Sequence, residues 1–283
     1  MFKKGLILIA MLALLMGFSA AKADARGNVT ITYVEWDCAV ASTYVAQAVL
    51  QEKLGYNVEV LPVGAAAMWQ ALATGDADAM VTAWLPVTHA DYLARVKDDV
   101  VKLNVVARGA RIGLVVPEYV TINSIEEMNA NADKFRGRIV GIDPGAGIMG
   151  LTEEVIKEYG LNNIELVEGS GATMAAALQD SVRNNEWVAV TGWSPHWKFG
   201  RWDLKYLEDP KGVYGDEEYI ATIVRQGLDN DMPEVYNFLE NFSWTQNQMA
   251  EVMVMNQEGA DPYTSAKNFI NANPDLVNQW LGR

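Results

Sequence analysis

Trp36, Trp84 and Trp193 stand apart from the other tryptophans of this chain, which has nine. Trp84 lies in "VTAWLP" and Trp193 in "VTGWSP", the same six-residue frame written twice. Trp36 closes "ITYVEW". Each follows a β-branched run and precedes turn residues, which places it at a strand end. The chemistry that wants several indole faces together is recognition of a quaternary ammonium, which has charge but no N–H to donate. Each desolvated Trp face attracts such a cation by about 2 kcal/mol or more. Three faces supply much of a micromolar affinity, about 8 kcal/mol. A sugar would also stack on Trp, but it needs many polar side chains, and the turns here are small and apolar. Trp69, Trp187, Trp244 and Trp280 sit inside apolar stretches and read as core; Trp197 and Trp202 are ambiguous.

Two further features could orient a ligand. "DPGAGIMG" sets Gly145, Gly147 and Ile148 between a strand and a helix. Amides exposed at a helix start hold anions, and a carboxylate fits. A plain tight turn has the same spacing, and no Lys-Ser/Thr follows to make a phosphate loop. His89, five residues after Trp84, could donate to a carboxylate or serve packing alone. Cys38 with His89 or His196 would suit a thiol hydrolase, without a visible oxyanion motif. Two His and one Cys far apart lack metal-ligand spacing, so no metal and no cofactor is expected.

These residues sit on an internal repeat. "NVEVLPVGAAAMWQALATGDADAMVTAWLP" matches "NIELVEGSGATMAAALQDSVRNNEWVAVTGWSP", and "ITYVEWDCAVASTYVAQAVLQEKLGY" matches "RIVGIDPGAGIMGLTEEVIKEYGL". Each reads strand, amphipathic helix closed by Gly55 or Gly160, strand, helix, strand. The βαβαβ units run from about 31 to 86 and about 139 to 195. The expected class is α/β: two lobes, each a mostly parallel sheet flanked by helices, with ligand in the cleft between them. "GLVVP" carries the chain between lobes, and 210–283 reads as mostly helical. Lobe one is expected from 29–112 plus 210–283, and lobe two from 113–209.

The first 23 residues read as a cleaved secretory signal: "MFKK", an apolar run, then small Ala21 and Ala23 before Asp24. The run is short for a membrane span, and no Cys stands at the cleavage point to suggest a lipid anchor. An exported chain, periplasmic or otherwise extracytoplasmic, follows. Losing Lys3, Lys4 and Lys22 leaves 19 bases against 36 acids, a net charge of −17. Like charge then argues against nucleic acid as a partner. Cys38 is alone and makes no internal disulfide.

"YVEWD", "MWQALATGDADAMVTAWLPVTHADY", "GLVVPEY", "IVGIDPGAGIMGLTEEVIKEYGL", "TGWSPHWKF" and "DLKYLEDPK" together resemble the glycine betaine/proline betaine-binding proteins of ABC importers. The resemblance covers nearly all of the chain after the leader. It implies a two-lobed periplasmic-binding-protein fold that closes on its ligand, a betaine as the small-molecule partner, and an importer permease as the membrane partner. By resemblance Trp36, Trp84 and Trp193 cage the trimethylammonium, and Gly147, Ile148 and His89 hold the carboxylate. His196 does not match the carboxylate position, and Cys38 departs from the small polar residue that follows "EWD" in relatives. The expected state is a monomeric, non-enzymatic receptor. Choline, carnitine or a sulfonium analogue is the alternative ligand.

Overall fold

A computed structural model describes residues 26–283. The signal segment expected at 1–23 lies outside the described residues. The first repeat folds as β1 (Asn28–Tyr33), α1 (Asp37–Glu52), β2 (Asn57–Pro62), α2 (Ala65–Thr74) and β3 (Ala79–Leu85). Both neighbours of β1 are parallel to it, giving the order β2-β1-β3. The helix α3 (Ala90–Val96) leads into β4 (Val100–Pro117). The second repeat repeats the pattern with β5 (Arg138–Val140), α4 (Gly147–Glu158), β6 (Glu165–Val167), α5 (Gly171–Asn184) and β7 (Val190–Ser194). Here β5 is flanked in parallel by β6 and β7. Short α6 (Lys198–Arg201) and β8 (Leu204–Tyr206) follow, then β9 (Glu218–Arg225). The helices α7 (Leu228–Asp231), α8 (Pro233–Asn241), α9 (Gln246–Gln257), α10 (Pro262–Ala272) and α11 (Pro274–Trp280) complete the described chain.

Local chemistry explains the helix ends. Gly55 and Gly160 have φ of 76° and 61°, a left-handed conformation that costs Gly nothing and lets the chain reverse after α1 and α4. Ser170 and Thr245 cap α5 and α9 through reciprocal capping boxes. Both Trp-containing hexapeptides end in a cis X-Pro bond, Leu85–Pro86 and Ser194–Pro195.

The sheet departs from the expected pattern in one respect. It is mixed rather than mostly parallel, with the order β2-β1-β3-β9-β4-β7-β5-β6. The antiparallel members are β9, a β-branched "EYIATIVR" inside the segment whose pattern reads as mostly helical, and β4, which also runs antiparallel to β7. The strand β9 lies antiparallel between β3 and β4. The eighteen-residue β4 is longer than "GLVVP", and it changes partner midway. Val100 to Ala110 pair with β9, and Arg111 to Val115 pair with β7. Thus β4 joins the two repeat sheets edge to edge.

Trp69, Trp244 and Trp280 are buried, as core residues should be. Trp187 is only half-buried, tilted on Phe135 at 5.2 Å with Lys134 Nζ 4.4 Å above its ring. Trp197 is buried and Trp202 half-buried against it, ring centroids 5.4 Å apart.

Candidate ligand-binding site

The carboxyl ends of β1, β3, β5 and β7 converge on one small cavity. Trp36 is the extended residue that caps α1, Trp84 is the penultimate residue of β3, opposite Ile220 of β9, and Trp193 is the penultimate residue of β7, opposite Ile112 of β4. All three are nearly fully buried. The cavity has an empty volume of about 310 Å³ including its mouth. That is the small end of the ~300–1,000 Å³ range of small-molecule sites. Trp36, Trp84, Trp193, His89, Gly147 and Ile148 all line it, so the six residues expected to hold ligand reach one place, whereas Gly145 and His196 do not line it. Cys38, Ile112 and Ile142 add to its wall.

His89 is held in a defined state. The Trp84 amide donates to His89 Nδ1 at 3.1 Å, and the His89 amide donates to the Trp84 carbonyl at 2.9 Å. A ring nitrogen that accepts carries no proton, so the neutral ring keeps its proton on Nε2. Burial pushes the His89 pKa down to about 3, so the ring is neutral at physiological pH. Nε2 is buried without a hydrogen-bond partner among the described residues. Trp36, Trp69 and Tyr92 surround the ring, with centroids 5.7, 5.9 and 5.9 Å away. Trp69, read from sequence as core, is therefore also a wall behind His89.

Gly147 and Ile148 open α4 after the extended Ala146. As the first residues of a helix, their amides have no carbonyl one turn behind them. Gly147 is required by proximity: a Cβ there would come within 2.0 Å of the Thr88 carbonyl oxygen. Thr88 cannot retreat easily. Val87 and Thr88 amides both donate to Glu218 Oε1 at 2.8 Å, and the Thr88 hydroxyl bonds to Oε2. Glu218 is buried on β9, an element that the sequence pattern did not reveal.

Other contacts join the two repeats around the cavity. Trp36 Nε1 donates to Asp143 Oδ1 at 3.0 Å, and Tyr92 Oη donates to the Gly145 carbonyl at 2.7 Å. His196 Nε2 lies 3.2 Å from Asp37 Oδ2. The Lys198 amide donates to His196 Nδ1, which leaves the His196 proton on Nε2, facing Asp37. Burial, reinforced by Lys198, lowers the His196 pKa to about 4. Burial works to raise the Asp37 pKa, but the adjacent His196 and Trp197 side chains and a hydrogen bond from Gln257 at 2.8 Å outweigh it and lower it. His196 is thus a structural bridge with a specific partner. Lys198 is fully buried, with Nζ 4.4 Å over the Trp193 ring and no hydrogen-bond partner among the described residues. Burial lowers its pKa to about 7. Cys38 is buried, and burial pushes its pKa up to about 12, which keeps it a thiol and speaks against a nucleophile.

Among the described residues, no group of three or more His, Cys, Asp or Glu is arranged to hold a metal. No helix among them is long and apolar enough to cross a membrane.

Two repeat sheets joined edge to edge, with a small aromatic cavity beyond their carboxyl ends, define a solute-binding protein of the periplasmic type. Lactococcal OpuAC, solved closed and complexed with glycine betaine, is 40% identical, with a TM-score of 0.86 over 90% of this chain and 99% of that one. The glycine betaine/L-proline-binding protein ProX of Borrelia burgdorferi is 38% identical, with a TM-score of 0.86 over 89% of this chain and 96% of that one. The glycine betaine/carnitine transport binding protein GbuC of Listeria monocytogenes is 49% identical over 144 residues, 50% of this chain and 48% of that protein. The match thus spans about half the length of that curated relative. Residues 27–272 match the family described as the substrate binding domain of ABC-type glycine betaine transport systems, and the chain belongs to it.

Proposed function

We propose that this chain is an extracytoplasmic receptor that captures glycine betaine or proline betaine and delivers it to an ABC permease. The observation that carries this reading is the buried, unpartnered His89 Nε2–H beside three tryptophans in one cavity. A neutral donor of this kind matches a carboxylate, and it is useless to a bare cation. The first amides of α4 supply two further donors at the same wall. Trp36, Trp84 and Trp193 then take the trimethylammonium. The complex of lactococcal OpuAC with glycine betaine supports the ligand class.

Residues 29–112 with 210–283 would form one lobe and 113–209 the other. Support comes from β4, whose partner changes from β9 to β7 between Ala110 and Arg111. The cavity draws walls from both, so closure would complete it. In this reading the protein is a non-enzymatic monomer, exported by a signal ending at residue 23.

Choline is the second reading. A choline binding protein solved with choline is 26% identical at a TM-score of 0.84. Choline offers a single neutral hydroxyl where a betaine offers a carboxylate, so the His89 Nε2–H and the two α4 amides would lose their charged acceptor, which ranks it below the betaines. Calorimetric titration of the purified chain with glycine betaine, proline betaine, carnitine, choline and dimethylsulfoniopropionate tests both. Tightest binding by a betaine is expected, and choline binding more tightly than either betaine would overturn the assignment.

A further inference from the structure

The cage walls are not electronically equal. Trp36 carries an anion on its rim, since its indole N–H donates to the Asp143 carboxylate at 3.0 Å. Trp193 carries a cation on a face, since Lys198 Nζ stands 4.4 Å over its ring. Lys198 does not line the cavity, whereas Trp193 does, so the indole separates the ammonium from the ligand space. Lys198 is fully buried and its Nζ has no hydrogen-bond partner among the described residues. Such a group is costly to keep and calls for an explanation.

Cation–π attraction depends on the electron richness of the ring face. A charge-assisted hydrogen bond from the indole N–H pushes density into the ring, and the carboxylate charge adds a favourable field for a nearby cation. An ammonium over the opposite face does the reverse. It draws density to its own side and repels a second cation across the ring. We propose that Asp143 and Lys198 set the selectivity of the cage from behind: Asp143 strengthens Trp36 toward an onium headgroup, and Lys198 weakens Trp193 toward it. Both are positioning residues that act through a tryptophan. Asp143 also links the repeats, because it follows β5 while Trp36 follows β1.

This inference rests on the betaine reading, and its test separates the two. The probe pair is glycine betaine and 3,3-dimethylbutanoate, its carbon isostere with the same carboxylate and shape but no headgroup charge. The ratio of their affinities reads the headgroup charge alone. In Asp143→Asn the indole keeps an acceptor but loses the anion. The ratio should fall about threefold to tenfold, with 3,3-dimethylbutanoate nearly unchanged. In Lys198→Met the ratio should rise about threefold or more. Wild-type protein supplies a check that needs no variant. The groups facing Lys198 are Asp37 and Cys38 at the start of α1 and His196 on its own segment. Asp37 titrates below the usual carboxylate range, His196 near 4 and Cys38 near 12, so between pH 6 and 8.5 Lys198 alone changes charge. The ratio should therefore rise with pH over that window. Equal loss of both ligands in Asp143→Asn, or a ratio indifferent to both Lys198→Met and pH, would overturn the inference while leaving the betaine reading intact. A wild-type chain that binds neither ligand would overturn both.

Discussion

The main-chain amide of Trp84 donates to His89 Nδ1 across five residues, and this one bond decides what His89 can do. It fixes the tautomer, and burial keeps the ring neutral, so Nε2 remains an unpartnered donor on a residue of the cavity wall. His89→Ala should therefore weaken betaines tenfold or more and choline much less, measured by calorimetry. An equal loss for both ligands would remove His89 as the carboxylate partner.

The three tryptophans come from both repeats, so no single wall suffices. Trp84→Ala and Trp193→Ala should each weaken betaine binding by tenfold or more, while a cooperative thermal transition persists. Each truncation also opens a cavity costing about 3–5 kcal/mol of stability, so melting curves must accompany the titrations. Unchanged affinity in both variants would remove the cage.

Gly147 sits where the helix start of one repeat meets the Thr88 carbonyl of the other. Gly147→Ala puts a methyl within 2.0 Å of that oxygen, which Glu218 holds in place from behind. The expected result is loss of the ligand-induced rise in melting temperature, with the ligand-free melting temperature within a few degrees of wild type. A full ligand-induced shift in this variant would mean that the two segments separate without consequence.

Acid should destabilise the ligand-free protein in a defined window. His89 and His196 have folded pKa values of about 3 and 4, below the ~6.5 of an unfolded histidine. The unfolded chain therefore binds protons first as pH falls. The stability conferred by the neutral rings is complete above about 6.5, and it is lost progressively down to about 3 to 4. Melting temperatures from pH 7.5 to 4.5 should fall, and His196→Gln should flatten that slope. An identical slope in the variant would remove His196 from the acid response and leave His89 and the carboxylates to account for it.

Much of this molecule is written locally. The strand runs, the helix stops at Gly55 and Gly160 and the two Trp-x-Pro phrases follow from periodicity and turn chemistry, so both βαβαβ units are legible. The repeat itself implies that Trp84 and Trp193 occupy equivalent strand ends. The strand β9 is less legible, because six β-branched and apolar residues between Glu218 and Arg225, set between a turn-rich segment and a helical tail, carry no sign of their partners.

Pairings between distant residues were decided only by tertiary structure. Asp37 and Asp143 are equivalent acids in the two repeats, and each meets a ring from the other repeat: Asp37 meets His196, and Asp143 meets Trp36. Glu218 braces Thr88 from 130 residues away, and Lys198 comes to rest over Trp193. Sequence determines which residues stand at each strand end, since backbone periodicity acts over a few residues. It does not state which ends face one another. That follows from β4 switching partners and bringing two sheets edge to edge, and there burial gives His89, His196 and Lys198 their charge states.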